Sequence, residues 1–294
     1  MRKIGFFLVK AWAYWVSISP YWLLYARSDF YFFMVYHVAH YRRKVVRNNL
    51  LRSFPEKDLK EIKTIEKRFY HNLCDQAVET IKVKRMSVDD IKKHVAVTNP
   101  EVPEALFAKG KSLFYAVPHS GNWEWFGKRM QTFSGHHPMA IYKKVKNADF
   151  DRFMLDLRTS LPVEMVESDA AMRSLARRSG TLDAVLILAD QTSFGRESDY
   201  WNVFLNQETC WFTGLERMSR FMDYAVVFAA MKRVGRGRYE VTFQTITETP
   251  KETEKGFVME QYSQHIERLL HEQPDNWLWS HKRWKHKRNQ AAEQ

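Results

Sequence analysis

The sequence predicts an α/β protein: a central, largely parallel sheet flanked by helices, with an N-terminal apolar helical segment of membrane-associating type. Two patterns predict it. Short apolar runs bounded by glycine or proline alternate with stretches whose apolar residues recur every three or four positions, as strands alternating with helices do. The N-terminal residues, by contrast, are apolar almost throughout and crowded with Trp and Tyr.

The chain opens Met1-Arg2-Lys3 and runs apolar to Ala26, broken only by Lys10. A cleavable secretory signal ends in small residues, whereas Trp12, Tyr14, Trp15, Tyr21, Trp22 and Tyr25 occupy this stretch. The uncharged run between Lys10 and Arg27 is 16 residues and contains Pro20. About 20 are needed to cross a bilayer. A second apolar run, Phe30 to Tyr41, leads into Arg42, Arg43, Lys44 and Arg47. Basic residues on both flanks favour one face of the membrane, so residues 1–41 are expected to lie partly in the interface, their Trp and Tyr at headgroup depth; the alternative is a single span with Lys10 near one edge.

From Leu59, the spacing of Ile62, Ile65, Phe69, Leu73, Ala77 and Ile81 predicts an amphipathic helix. Gly110-Lys111 then precedes Ser112 to Val117, which reads as a buried strand ended by Pro118-His119, with a helix opening near Asn122. Further strands are expected at Met139 to Tyr142, Ala184 to Ala189, Ala225 to Ala230 and Tyr239 to Phe243, and helices at Asp149 to Thr159 and Ser263 to His271. The organisation expected is a membrane-associating segment 1–41, a catalytic domain 42–288 and a C-terminal tail 289–294.

Composition narrows the function classes. With 294 residues, 45% of them hydrophobic, the chain buries a large core and is not disordered. Its two cysteines, Cys74 and Cys210, make neither a disulfide framework nor a zinc site, and no metal or redox cofactor is expected. The net charge of +12 sits at the ends: residues 1–54 carry +8, residues 281–294 carry +4, and the 226 between are neutral. A nucleic-acid binder needs a basic face on its folded body, so this distribution favours an anionic membrane surface. His94, His136 and His137 read as surface residues without ligand spacing.

Chemistry concentrates in Val117-Pro118-His119-Ser120-Gly121-Asn122-Trp123-Glu124-Trp125. A histidine ending a buried strand, with a carboxylate five residues on in the first turn of a helix, is half of a Ser-His-Asp triad. The carboxylate holds one ring proton and the other nitrogen takes a proton from an attacking hydroxyl, which can belong to the substrate. Gly121 permits a tight turn. The N–H groups at the helix start could hold an oxyanion or phosphate.

His119-Ser120-Gly121-Asn122-Trp123-Glu124 resembles the signature of the bacterial lipid A (lauroyl/myristoyl) acyltransferases of the lysophospholipid acyltransferase superfamily, usually His-Phe-Gly-Asn-Trp-Glu. Tyr41 to Leu50 with Ser53-Phe54-Pro55-Glu56 resembles the family's N-terminal stretch, and Trp277 to Lys285 its C-terminal block. The likeness spans residues from about 1 to 288. It implies that His119 is the general base and Glu124 its orienting carboxylate, in transfer of a fatty acyl group from an acyl thioester to a hydroxyl of a lipid A precursor. The implied donor is acyl carrier protein or acyl coenzyme A, the former favoured; the implied location is the cytoplasmic face of the inner membrane.

Substrate contact is implied for Asn122, Lys143, Arg158, Asp190, Gln191 and Thr213. Two departures bear on the substrates. Tyr142-Lys143-Lys144 stands where the family has Tyr-Arg-Pro, which loses a bidentate fork for phosphate. Leu205-Asn206 replaces Phe-Gly, and Leu215 replaces a proline. Other readings of the same site are acylation of a lysophospholipid, phosphoglycan or aminoacyl lipid, or a non-catalytic lipid-binding relative.

Overall fold

The computed structural model describes residues 2–159, 163–178, 180–192 and 200–288; the tail 289–294 lies outside the described residues. Two helices come first, α1 (Arg2–Ile18) and α2 (Tyr21–Phe32), parted at Pro20, and α2 runs on into a π-helical stretch at Phe33–Val38. Then come α3 (Arg43–Ser53), α4 (Leu59–Lys82), α5 (Val88–His94), β1 (Val95–Val97), α6 (Glu101–Ala108) and β2 (Leu113–Val117). The middle of the chain supplies α7 (Trp123–Arg129), β3 (His137–Tyr142), α8 (Ala148–Arg158), β4 (Glu164–Glu167), α9 (Ala171–Ala176) and β5 (Asp183–Leu188). A hairpin of β6 (Tyr200–Phe204) and β7 (Gln207–Trp211), α10 (Gly214–Met222), β8 (Ala225–Gly235), β9 (Arg238–Thr247) and α11 (Phe257–Glu272) complete it.

The seven-stranded sheet has the order β1-β9-β8-β2-β5-β3-β4. From β8 through β4 every pairing is parallel; β9 returns antiparallel to β8, and β1 pairs parallel with β9. The expected α/β class and mostly parallel sheet are therefore observed. Successive side chains of β2 alternate between two cores: Phe114 and Ala116 face α4 and α11, while Leu113, Tyr115 and Val117 face α5 and α7. The short β1 and β4 and the β6–β7 hairpin were not expected from the apolar pattern. That hairpin turns through Leu205 and Asn206, both at positive φ (49° and 62°), as a two-residue hairpin loop of this hand requires. Asn tolerates this conformation; Leu205 is held in it by complete burial.

Helix α4 is the long spine on one face. Asp58 caps it reciprocally with Glu61, which fixes where it starts. Against its far end pack α1 and α2, where Ala13, Val16 and Leu24 meet Val78 and Ile81. Lys82 Nζ donates to the carbonyls of Ser17 (3.0 Å) and Ser19 (2.7 Å), which clamps the α1–α2 turn. The N-terminal segment is thus packed onto the domain along one side. Its other side exposes Trp15, Trp22, Phe30, Phe33 and Val38. Among the described residues no helix is long and apolar enough to cross a membrane.

The basic stretch that follows is only partly available to lipid. Glu66 on α4 is completely buried, and it accepts from Arg43 Nε (3.1 Å) and from Arg47 Nε and Nη2 (2.7 and 3.0 Å). Arg42 donates to the Ser280 carbonyl at 3.0 Å. A buried carboxylate must be paired, so these arginines answer an internal charge before any external one. His136, expected at the surface, is buried with Nε2 2.9 Å from the Lys111 carbonyl oxygen, and His94 stands between Tyr21 and Trp125.

Replacing both Arg43 and Arg47 with alanine leaves Glu66 uncompensated and is expected to cost about 3–5 kcal/mol, the usual loss when a buried pair is broken. Urea unfolding of the purified chain measures this. A loss under 1 kcal/mol would mean that the pair contributes no more than a surface salt bridge.

Candidate functional site

The sheet register builds the site. Val117 of β2 is paired with Leu188 of β5, and two residues beyond each strand end come His119 and Asp190. Parallel strands leave the sheet on the same side, so the two side chains meet at its carboxyl edge, the usual binding crevice of such sheets. Asp190 Oδ1 lies 2.5 Å from His119 Nδ1, and Oδ2 accepts from the His119 amide at 2.8 Å. The Trp277 indole donates to the same Oδ2 at 2.7 Å. With Asp190 as acceptor, Nδ1 carries the proton and Nε2 keeps its lone pair.

Burial pushes the Asp190 carboxyl up, but its interaction with the His119 ring and the hydrogen bonds from His119 and Trp277 outweigh it, holding the group below its ordinary value. Burial lowers the Arg283 guanidinium to about 10, although the nearby Asp190 charge raises it. Arg283 stacks over Trp211 and donates to the Cys210 carbonyl, so it is no part of the basic C-terminal surface.

Glu124 does not hold His119. It sits in the first turn of α7 and faces the last turn of α8, where Arg158 Nε reaches both its oxygens at 3.1 and 3.0 Å and Nη2 reaches Oε1 at 2.5 Å. The turn at Gly121 (φ 66°) starts α7 with Trp123, rather than Glu124, against the imidazole, the ring centroids 4.9 Å apart. The expected His119–Glu124 pair is thus replaced by two pairs, His119–Asp190 and Glu124–Arg158. Burial lowers the Arg158 guanidinium, yet the hydrogen bonds and charge of Glu124 raise it further, leaving it above its ordinary value.

Asn122, expected to touch substrate, is completely buried. Its Oδ1 caps α7 by accepting from the Trp125 amide (3.1 Å), and its Nδ2 donates to Glu79 (2.9 Å). The Gly121 amide donates to the Asn276 carbonyl, so the start of α7 has already committed donors expected for an anion. The C-terminal block pins this turn from outside: Leu278 N donates to the His119 carbonyl at 3.1 Å, and Ser120 bridges Trp277.

His119, Glu124 and Arg158 share the wall of one cavity of about 560 Å³, within the range of small-molecule sites. Gln191 lines it too, its Nε2 3.1 Å from His119 Nε2, and Lys143 stands exposed on its rim. Thr213 is not on the wall; its neighbours Phe212 and Gly214 are. Much of the lining is apolar, including Phe150, Met154, Met165, Met172, Leu186 and Met218. The methionines, with Arg217 at the rim, were not legible as site residues, since each sits in an ordinary helical or strand pattern. Among the described residues no cluster of His, Cys, Asp and Glu is able to hold a metal ion.

Two variants separate the carboxylates. Asp190→Asn takes away the acceptor that fixes the Nδ1 tautomer and is expected to lower kcat of any reaction using the His119 base by roughly 100- to 10,000-fold. Glu124→Gln leaves that acceptor in place and is expected to cost much less in kcat. Steady-state kinetics on the folded variants decides; the reverse order would return the orienting role to Glu124.

The family described as bacterial lipid A biosynthesis acyltransferase matches residues 1–286. No match was found among curated proteins. With the match spanning nearly the whole sequence, the chain belongs to the bacterial lipid A biosynthesis acyltransferase family.

Proposed function

We propose that the protein transfers a fatty acyl group from an acyl thioester to a hydroxyl of a lipid A precursor, with His119 as general base and Asp190 as its positioning residue. The observation that carries this reading is the strand-end imidazole, its Nδ1 committed to a buried carboxylate and its ring on the wall of an apolar cavity. The acceptor hydroxyl oxygen attacks the thioester carbonyl while Nε2 takes its proton. The tetrahedral intermediate then collapses, the carbon–sulfur bond breaks, and the imidazolium returns the proton to the departing thiolate. Ester and thiol are the products, and His119 ends neutral as it began.

Transient imidazolium beside ionised Asp190 is a charge pair in a largely dry setting, where its attraction is strong. The acyl chain occupies the apolar part of the cavity, its methionines adapting to a flexible chain. Glu124 holds the Arg158 fork in place, while Lys143 and Arg217 set positive charge along the rim for acceptor phosphates. Acyl carrier protein is the favoured donor, since its acidic surface complements the exposed Lys282, Lys285 and Lys287. The exposed aromatic side of α1, α2 and the π-helical stretch lies in the interface at the cytoplasmic face of the inner membrane, which brings the cavity to a lipid acceptor.

The test is purified protein with an acyl thioester and a lipid A precursor, read by mass spectrometry. A product heavier by one acyl group, resistant to hydroxylamine conditions that cleave thioesters, and lost in His119→Ala, is expected. Equal product from folded His119→Ala would overturn the assignment. Turnover with acyl coenzyme A but not with acyl carrier protein would replace the donor, and turnover only of a lysophospholipid would replace the acceptor.

A further inference from the structure

Glu79, near the C-terminal end of α4, is completely buried and touches no part of the cavity. Three donors from three distant segments converge on its carboxylate. Tyr25 of α2 donates its hydroxyl to Oε1 at 3.0 Å; Asn122, the N-cap of α7, donates to Oε2 at 2.9 Å; Tyr239 of β9 donates to Oε2 at 2.7 Å. The Glu79 main chain joins in, its carbonyl accepting from the Trp125 indole at 2.8 Å. One turn earlier Gln76 donates to the Gly121 carbonyl at 2.8 Å. Gly121, Asn122 and Trp125, all in or just after the turn that follows His119, are therefore tied to α4.

The other end of this chain of bonds is α2. Tyr25 fills a slot that only glycine leaves open: a Cβ on Gly237 would stand 2.0 Å from its hydroxyl. The Arg236 guanidinium covers the Tyr25 ring at 4.6 Å and donates to the Tyr25 carbonyl, while bridging Asp29 of α2 to Asp75 of α4. The hydroxyl's position thus depends on α2 being docked. Its loss would leave a completely buried carboxylate short of a donor, a deficit that the remaining donors, Asn122 among them, must absorb.

We propose that Glu79 is a positioning residue: through Asn122 it fixes the turn that carries His119, and through Tyr25 it makes that position depend on the docking of the N-terminal helix pair. The inference rests on the reading of His119 as the base for its effect on turnover, but not for its effect on the turn. A segment whose other side is apolar and exposed, and whose inner side bonds to the support of the active site, couples what holds those helices to the geometry of catalysis.

Amide hydrogen exchange on the full-length chain, wild type against Tyr25→Phe, tests this. Removing one hydroxyl is expected to speed exchange in the 119–126 peptide by roughly 2- to 10-fold, the effect of one lost hydrogen bond, and to leave the α11 peptide 258–270 unchanged. In a Glu79→Gln background, Tyr25→Phe should add little, because both act through one carboxylate. With an acyl thioester and acceptor, kcat should fall in the same variant while KM for the thioester holds. Unchanged exchange at 119–126, or equal acceleration in 258–270, would overturn the proposal, and Tyr25→Phe alone decides if Glu79→Gln does not fold. Altered exchange with no turnover even in wild type would sink the transferase reading and leave the positioning role standing.

Discussion

A carboxylate buried at the edge of a parallel sheet must find partners, and much of the site follows from how Asp190 finds them. It accepts from the His119 ring, the His119 amide and the Trp277 indole, three donors from two regions of the chain far from its own strand. The two from His119 are reached only with β2 and β5 paired in their observed register, because a slip of one residue would turn His119 to the other face of the sheet. The C-terminal block is drawn in by the same requirement, and this explains why an indole and a strand-like bridge at Ser120 lie against the turn that carries His119. Charge burial and strand register thereby impose one another.

A parallel constraint runs along α4. Three of its acids, Glu66, Asp75 and Glu79, are buried, and each collects partners from elsewhere: Glu66 from α3, Asp75 from Ser28 of α2 and from Arg233 and Arg236 in the β8–β9 hairpin, Glu79 from α2, α7 and β9. Such groups are poor sources of net stability, since their desolvation offsets their attraction. What they give is a single arrangement, because displacing any one partner leaves a buried polar group short of a hydrogen bond. The N-terminal helices are located by this arrangement as well as by the packing of Ala13, Val16 and Leu24 on Val78 and Ile81.

Several parts of this were legible in the sequence. The apolar periodicity located α4, α8 and the central strands, and the Pro118-His119 break placed a histidine at a strand end. Asn122 was legible as a helix start and not as a buried cap. The partner of His119 was misread for a definite reason: spacing within a motif reports local neighbours, whereas Asp190 lies 71 residues away and arrives through sheet pairing. Its position just past an apolar run was visible, but the pairing of that run with β2 was not. Likewise Arg43 and Arg47 read as free surface charge because nothing in their spacing reveals a buried Glu66. Local pattern specifies elements; which charges are neutralised internally is decided by their packing.

The central claim is that Asp190, not Glu124, holds the proton on His119 Nδ1, and proton NMR of the ¹⁵N-histidine-labelled protein observes that proton directly. A strongly downfield Nδ1–H resonance is predicted in wild type and in Glu124→Gln, and its loss in Asp190→Asn. A resonance that survives in Asp190→Asn and disappears in Glu124→Gln would contradict the account.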